Sequence, residues 1–173
     1  MGNIYGLTGA VQNAGVYPVQ PITLAAAATD QTITITWVED NAVGDMVQLQ
    51  YSEGLPGDGT VTTEAGTALI GDGTNFTDYN VGDWLLIEGE IARIASIEDA
   101  THLTLAAAFT SVEEGVAFSV STTWAHLTDI SMGVETYDHA ELDPEAPYFY
   151  RIRTHKRFKW STWSDPVADI TGA

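Results

Sequence analysis

Leu142-Asp143-Pro144-Glu145-Ala146-Pro147-Tyr148-Phe149-Tyr150-Arg151-Ile152-Arg153 is the most informative run of this chain. A leucine, a short corner that contains proline, and aromatic residues alternating into a basic strand are typical of the place where a β-sandwich passes from one sheet to the other. The Tyr148 hydroxyl can bond to backbone upstream of it, which would fix the crossing. Leu142 and Tyr148 are therefore predicted to be corner and core residues.

The sequence before the corner has the alternation of half-buried strands. Residues 31–37 alternate with a period of two, which puts Ile33, Ile35 and Trp37 on one face and threonines on the other. Residues 46–51 alternate in the same way. No long amphipathic helical pattern occurs in the sequence, so the predicted fold class is an all-β sandwich with Trp37 in its core.

The middle of the chain differs from its two flanks in predicted strand length and in turn composition. Residues 56–120 read as strands of about five residues cut by Gly- and Asp-rich turns, a pattern that favours a small β-barrel or sandwich. A Gly- and Pro-rich break at residues 53–59 leads into this part. Its residues Gly54, Pro56, Gly57 and Gly59 predict a hinge.

Three parts follow from these patterns. Residues 1–20 are predicted to form an extended arm, residues 21–55 and 121–173 a discontinuous β-sandwich, and residues 56–120 an inserted small β-domain. The arm is expected to lie along a neighbouring subunit. The arm residues predicted to make that contact are Ile4, Tyr5, Val11, Val16 and Tyr17.

Composition excludes several classes of function. The chain has 173 residues and no Cys, which rules out disulfides and thiol chemistry. Its 24 acidic and 6 basic residues give a net charge of −18, which argues against phosphate-directed nucleic-acid binding and against anionic membrane surfaces. No run of about 20 apolar residues predicts a membrane span, and no signal peptide is visible.

Five of the six basic residues lie within nine positions. One interpretation is that they are outward-facing strand residues beside a hairpin. The other is a basic interaction hairpin that docks an acidic neighbour, including another copy of this protein. The residues concerned are Arg151, Arg153, Lys156, Arg157 and Lys159.

The sequence does not favour an enzyme. The four histidines are scattered without metal-ligand spacing, and no nucleophile or nucleotide-binding motif is present. Asp72, Asn75 and Asp78 fall in one Gly-rich loop and are the only calcium candidates. Their spacing misses that of the EF-hand loop, so a structural turn is preferred and no cofactor is predicted.

Two tryptophans near the basic hairpin leave alternatives open. Trp160 and Trp163 could form a platform that stacks on a sugar ring. The preferred alternative is the one that a resemblance to fibronectin type III domains implies, in which one of them packs with Trp37 in the core.

The two flanks together resemble a fibronectin type III domain over about 85 residues. The resemblance lies in Trp37, in the corner Leu142-x-Pro144-x-x-x-Tyr148, and in the alternating run Tyr150-Arg151-Ile152-Arg153. It implies a seven-stranded sandwich. The chain departs from that family where about 65 residues replace a short turn between the third and fourth strands.

The inserted part is similar to a small β-module that recurs in bacteriophage tail and fibre proteins. The segments that carry this likeness are residues 71–76, 81–85, 94–97, 101–105 and 115–118. Together the two resemblances imply a structural component of a virion, as a tail, fibre or capsid-decoration protein. Its partners would be other virion proteins and copies of itself in a homo-oligomer, after synthesis in the bacterial cytoplasm. The alternative is a carbohydrate-binding module that recognises host-surface glycans.

Overall fold

A computed structural model describes residues 23–38, 45–64, 66–156 and 158–172. Antiparallel strands make up nearly all of the regular structure in these ranges. The other regular element there is a short 3₁₀ turn at Phe76–Asp78. The predicted all-β sandwich is confirmed. The strands are β1 (Thr23–Thr29), β2 (Thr32–Val38), β3 (Met46–Pro56), β4 (Thr60–Thr63), β5 (Ala68–Asp72), β6 (Trp84–Ile87), β7 (Glu90–Ile97), β8 (His102–Leu105), β9 (Ser119–Ser121), β10 (Ala125–Ser131), β11 (Thr136–His139), β12 (Pro147–Lys156), β13 (Lys159–Trp160) and β14 (Val167–Ile170).

The first apolar core lies between two sheets. One sheet has the order β1-β2-β11, and the strands that face it are β3, β10, β12 and β14. Because side chains alternate along β2, Ile33, Ile35 and Trp37 are buried while the threonines point away, as predicted. Val47 and Leu49 of β3 are buried against them.

The corner before β12 has the predicted hydrogen bond. The Tyr148 hydroxyl accepts a hydrogen bond from the backbone N–H of Asp143 at 3.3 Å, and both Leu142 and Tyr148 are buried in the first core. Thr171 closes the same corner, since its hydroxyl donates to the Asp143 carbonyl at 2.6 Å. The corner is therefore held from both sides by the chain around it.

A second apolar core is formed by residues of the inserted part. It shares no residue with the first core, although the division into domains itself stays a prediction. Its buried members are Val61, Leu69, Phe76, Leu85, Ile87, Ala92, Ile94, Leu103, Leu105, Phe118 and Val120.

The predicted hinge at residues 54–59 is wrong. Strand β3 continues through Gly54 to Pro56 and pairs with β9 there, after pairing with β10 along its first half. Gly54 is buried, and a Cβ atom at this position would lie only 2.8 Å from the Pro147 side chain. Gly57 donates its N–H to the carbonyl of Phe118 at 2.9 Å. The glycines therefore allow close packing rather than bending.

Side-chain hydrogen bonds reinforce this junction. The buried Ser52 hydroxyl accepts a hydrogen bond from the backbone N–H of Thr122 at 2.8 Å, and the Thr122 hydroxyl donates to the Glu53 carbonyl at 3.0 Å. Ser121 accepts from the N–H of Trp84 at 2.9 Å. The strands that lead into and out of the inserted part are thus bound directly to each other.

Candidate functional site

Strand β12 presents two different faces. Tyr150 and Ile152 point into the first core and are fully buried, so Arg151, Arg153 and His155 share the opposite face. Because alternate residues of a strand lie about 7 Å apart, an aromatic ring can fit between successive members of this row.

Trp163 and Trp160 fill the two spaces of this row, and Trp124 stacks on its Arg151 end. The guanidinium of Arg151 lies 4.1 Å from the ring centre of Trp124 and 4.6 Å from that of Trp163. Arg153 lies 4.3 Å from Trp163 and 4.2 Å from Trp160, whose ring centre is 4.6 Å from that of His155. We call this row the stacking ladder. In order, its members are Trp124, Arg151, Trp163, Arg153, Trp160 and His155.

Two glutamines of β3 hold the arginines in place. Arg151 donates from Nε and Nη2 to Oε1 of Gln50 at 3.0 and 2.8 Å, and Arg153 makes the same pair of bonds to Gln48 at 2.9 and 2.6 Å. Burial, and secondly the charge of Arg153, lowers the pKa of Arg151 to about 10. Arg151 therefore stays charged at neutral pH, as cation–π stacking requires.

The structure divides the predicted basic interaction hairpin. Arg151 and Arg153 belong to the stacking ladder, while Lys156 and Lys159 flank the turn between β12 and β13. Arg157 lies outside the described residues, as do all five predicted contacts of the N-terminal arm. Between the lysines, Phe158 is 97% exposed. Lys156, Phe158 and Lys159 are together called the hairpin tip below.

The expected packing of Trp160 or Trp163 against Trp37 is wrong. Trp37 is buried in the first core, whereas Trp160 is exposed and Trp163 is half-buried in the ladder on the far face of the sheet. The ring of Trp163 contacts two guanidiniums, which occupy the faces that a sugar would need. The sugar-platform hypothesis for these residues stays a prediction.

Replacing Arg151 with lysine should lower the free energy of unfolding by about 1–2 kcal/mol, because lysine lacks the planar group that stacks and donates twice to Gln50. The measurement is urea unfolding followed by tryptophan fluorescence. The control is Arg93→Lys at an exposed arginine outside the ladder, which should change stability by less than about 0.5 kcal/mol. Equal effects of the two substitutions would mean that the ladder adds no stability.

A cleft of about 570 Å³ lies where the chain enters and leaves the inserted part. Its wall combines the end of β3 and the strand that leaves the inserted part with the loop around the 3₁₀ turn. We call it the junction cleft. It is lined by Leu55, Pro56, Asp58, Asn75, Asp78, Tyr79, Asn80, Asp83, Val120, Ser121, Thr122 and Thr123.

The acidic side of the junction cleft is ordered by local hydrogen bonds. The Asn75 amide donates to Asp78 at 2.9 Å, and the backbone N–H of Asn80 donates to Asp83 at 2.8 Å. Burial raises the pKa of the Tyr79 hydroxyl, and the charges of Asp58 and Asp78 act in the same direction. The cleft therefore has a lining of mixed polarity and a negative rim.

Two of the three calcium candidates, Asn75 and Asp78, are joined by a hydrogen bond in this turn. Asn75 also accepts a hydrogen bond from the Thr77 hydroxyl at 2.7 Å, and Asp72 ends β5. In the described part of the chain, no group of three or more His, Asp or Glu side chains is placed to hold a metal ion. The calcium hypothesis stays a prediction.

His139 has a structural role that the sequence did not indicate. It is half-buried on β11, and its Nδ1 atom is 3.0 Å from the Tyr150 hydroxyl. Its ring also contacts those of Tyr51 and Tyr148 edge-on. Burial lowers the pKa of His139, so the neutral ring can accept a hydrogen bond from the Tyr150 hydroxyl. Only its alternation with Tyr137 could have indicated an inward position.

No family model matches this sequence, and no curated protein matches it. Among the described residues, no helix is long and apolar enough to cross a membrane.

Proposed function

We propose that this chain is a structural component of a tailed-bacteriophage particle, placed on the tail, a fibre or the capsid exterior. In this proposal it acts through subunit assembly and surface display rather than catalysis. The support from sequence is the pair of resemblances, one to a fibronectin type III domain and one to a small β-module of phage tail and fibre proteins.

The structural observation that carries the proposal is the continuity of β3 across both cores. One strand of 11 residues pairs with β12 and β10 beside the first core and with β9 beside the second. No glycine hinge interrupts it. Because the same strand is hydrogen-bonded beside both cores, the two parts of the chain are expected to resist being pulled apart. Such resistance suits a component of a particle. The N-terminal arm would add contacts to a neighbouring subunit.

The test is to look for the chain in purified particles. Particles are isolated on a density gradient from lysates of the cells that make the chain, and their proteins are identified by mass spectrometry. Peptides of this chain should co-sediment with other particle proteins at a constant ratio that survives a high-salt wash. Peptides found only in the soluble fraction, with intact particles free of them, would contradict the proposal.

A further inference from the structure

We infer that the hairpin tip of one copy docks into the junction cleft of a second copy, so that the chains join head to tail. This inference deepens the proposed assembly function and rests on it. It names the partner, a second copy of this chain, and the two surfaces that meet. The argument uses exposure, charge and the register of one strand.

The hairpin tip has the form of an anchor. Phe158 stands 97% exposed at the turn, although burial of a phenylalanine ring is strongly favourable. Lys156 and Lys159, which pair with each other at the ends of β12 and β13, flank it. A solvent-exposed aromatic ring set in a basic surround is the kind of feature that central interface contacts use.

The junction cleft has the complementary character. Its apolar side includes Leu55, which is 57% exposed although it belongs to a paired strand. Its rim carries the carboxylates of Asp58, Asp78 and Asp83. An aromatic anchor with positive charges around it therefore matches a cleft that has an apolar side and a negative rim. In a chain of net charge −18, the two lysines beside Phe158 find matching carboxylates on other copies of the same chain.

The register of β3 places the two surfaces at opposite ends of one strand. Met46, at the start of β3, pairs with His155 next to the hairpin tip, while Leu55 and Pro56 at its end line the cleft. Eleven residues of strand span about 30 Å, so the tip of a copy cannot reach its own cleft. Contact between copies is then heterologous and repeats, which builds a ring or a filament.

A contact of this kind should be weak for a single pair of copies. One aromatic anchor with a few charges buries less than the roughly 1,200 Å² of a stable interface. We therefore expect a mass that rises with protein concentration in sedimentation experiments and falls at high salt. Phe158→Ser should lower the association constant about tenfold or more.

The deciding experiment mixes two variants that each keep one surface. The hairpin variant carries Phe158→Ser and Lys159→Glu, and the cleft variant carries Leu55→Ser and Asp58→Lys. Neither should associate alone, and their mixture should form a heterodimer that grows no further. A matched control, Val112→Ser with Glu114→Lys, likewise replaces one aliphatic residue with serine and one carboxylate with lysine. Both positions are exposed and neither lines the cleft, so this variant should associate as the unmodified chain does. Thermal melting confirms that every variant is folded.

The outcomes separate this inference from the proposed function. A mixture that stays monomeric, or single variants that associate like the unmodified chain, would overturn the head-to-tail contact. An unmodified chain that stays monomeric at every concentration would overturn it as well. Each of these results leaves the particle experiment unaffected. Conversely, a heterodimer in the mixture combined with particles that lack the chain would overturn the virion proposal alone.

Discussion

Replacing Gly59 with alanine should lower the free energy of unfolding of the inserted part by about 3 kcal/mol or more. Two costs add at this position. The backbone has φ of +75°, a conformation that costs an L-residue about 1–2 kcal/mol. A Cβ atom would also lie 2.2 Å from the carbonyl oxygen of Asp72 and 2.6 Å from the carbonyl carbon of Gly73. Both atoms are backbone, so relief requires movement of the turn after β5.

The control for this prediction is Gly89→Ala. Gly89 has nearly the same conformation, with φ of +81°, but no atom lies within 4 Å of the added Cβ. It should therefore show only the conformational cost of about 1–2 kcal/mol. Chemical denaturation of both variants, followed by tryptophan fluorescence, measures the difference. Equal losses would mean that the contact of Gly59 with the β5 turn contributes nothing.

Local patterns in the sequence were enough to predict the all-β class and the corner. The alternation of Ile33, Ile35 and Trp37 depends only on the two-residue period of a strand, and the Tyr148 hydroxyl meets the backbone of Asp143 only five residues away. Interactions of this range are set by neighbouring residues. They can therefore be inferred without knowing which strands pair.

The features that sequence reasoning missed depend on long-range pairing. Trp124 reaches Arg151 only because β10 and β12 pair with opposite edges of β3. Gly54 was assigned to a hinge because glycine is common in hinges, but Pro147 and Phe149 of a distant strand are what exclude a side chain there. The junction cleft likewise brings Leu55 and Asp83 together through the fold of the inserted part. Only pairing information could have indicated these contacts.

Replacing Phe76 with alanine should lower the stability of the second core by about 3–5 kcal/mol. The ring of Phe76 is fully buried and packs against those of Tyr79 and Phe118, with centres 6.4 and 6.1 Å away. Its removal leaves a cavity in the middle of the cluster. The control is Phe158→Ala, the same chemical change at a ring that is 97% exposed, which should leave stability within about 0.5 kcal/mol.

Amide hydrogen exchange shows where in the chain that loss is felt. The second core shares no residue with the first, and β3 is held beside the first core by β10 and β12. Phe76→Ala should therefore reduce protection in β6, β7 and β8 while the amides of β2 keep theirs. An equal loss of protection in β2 would show that both cores unfold as one unit. Because Phe158→Ala should weaken self-association without changing stability, the two phenylalanines separate folding from assembly in a single pair of variants.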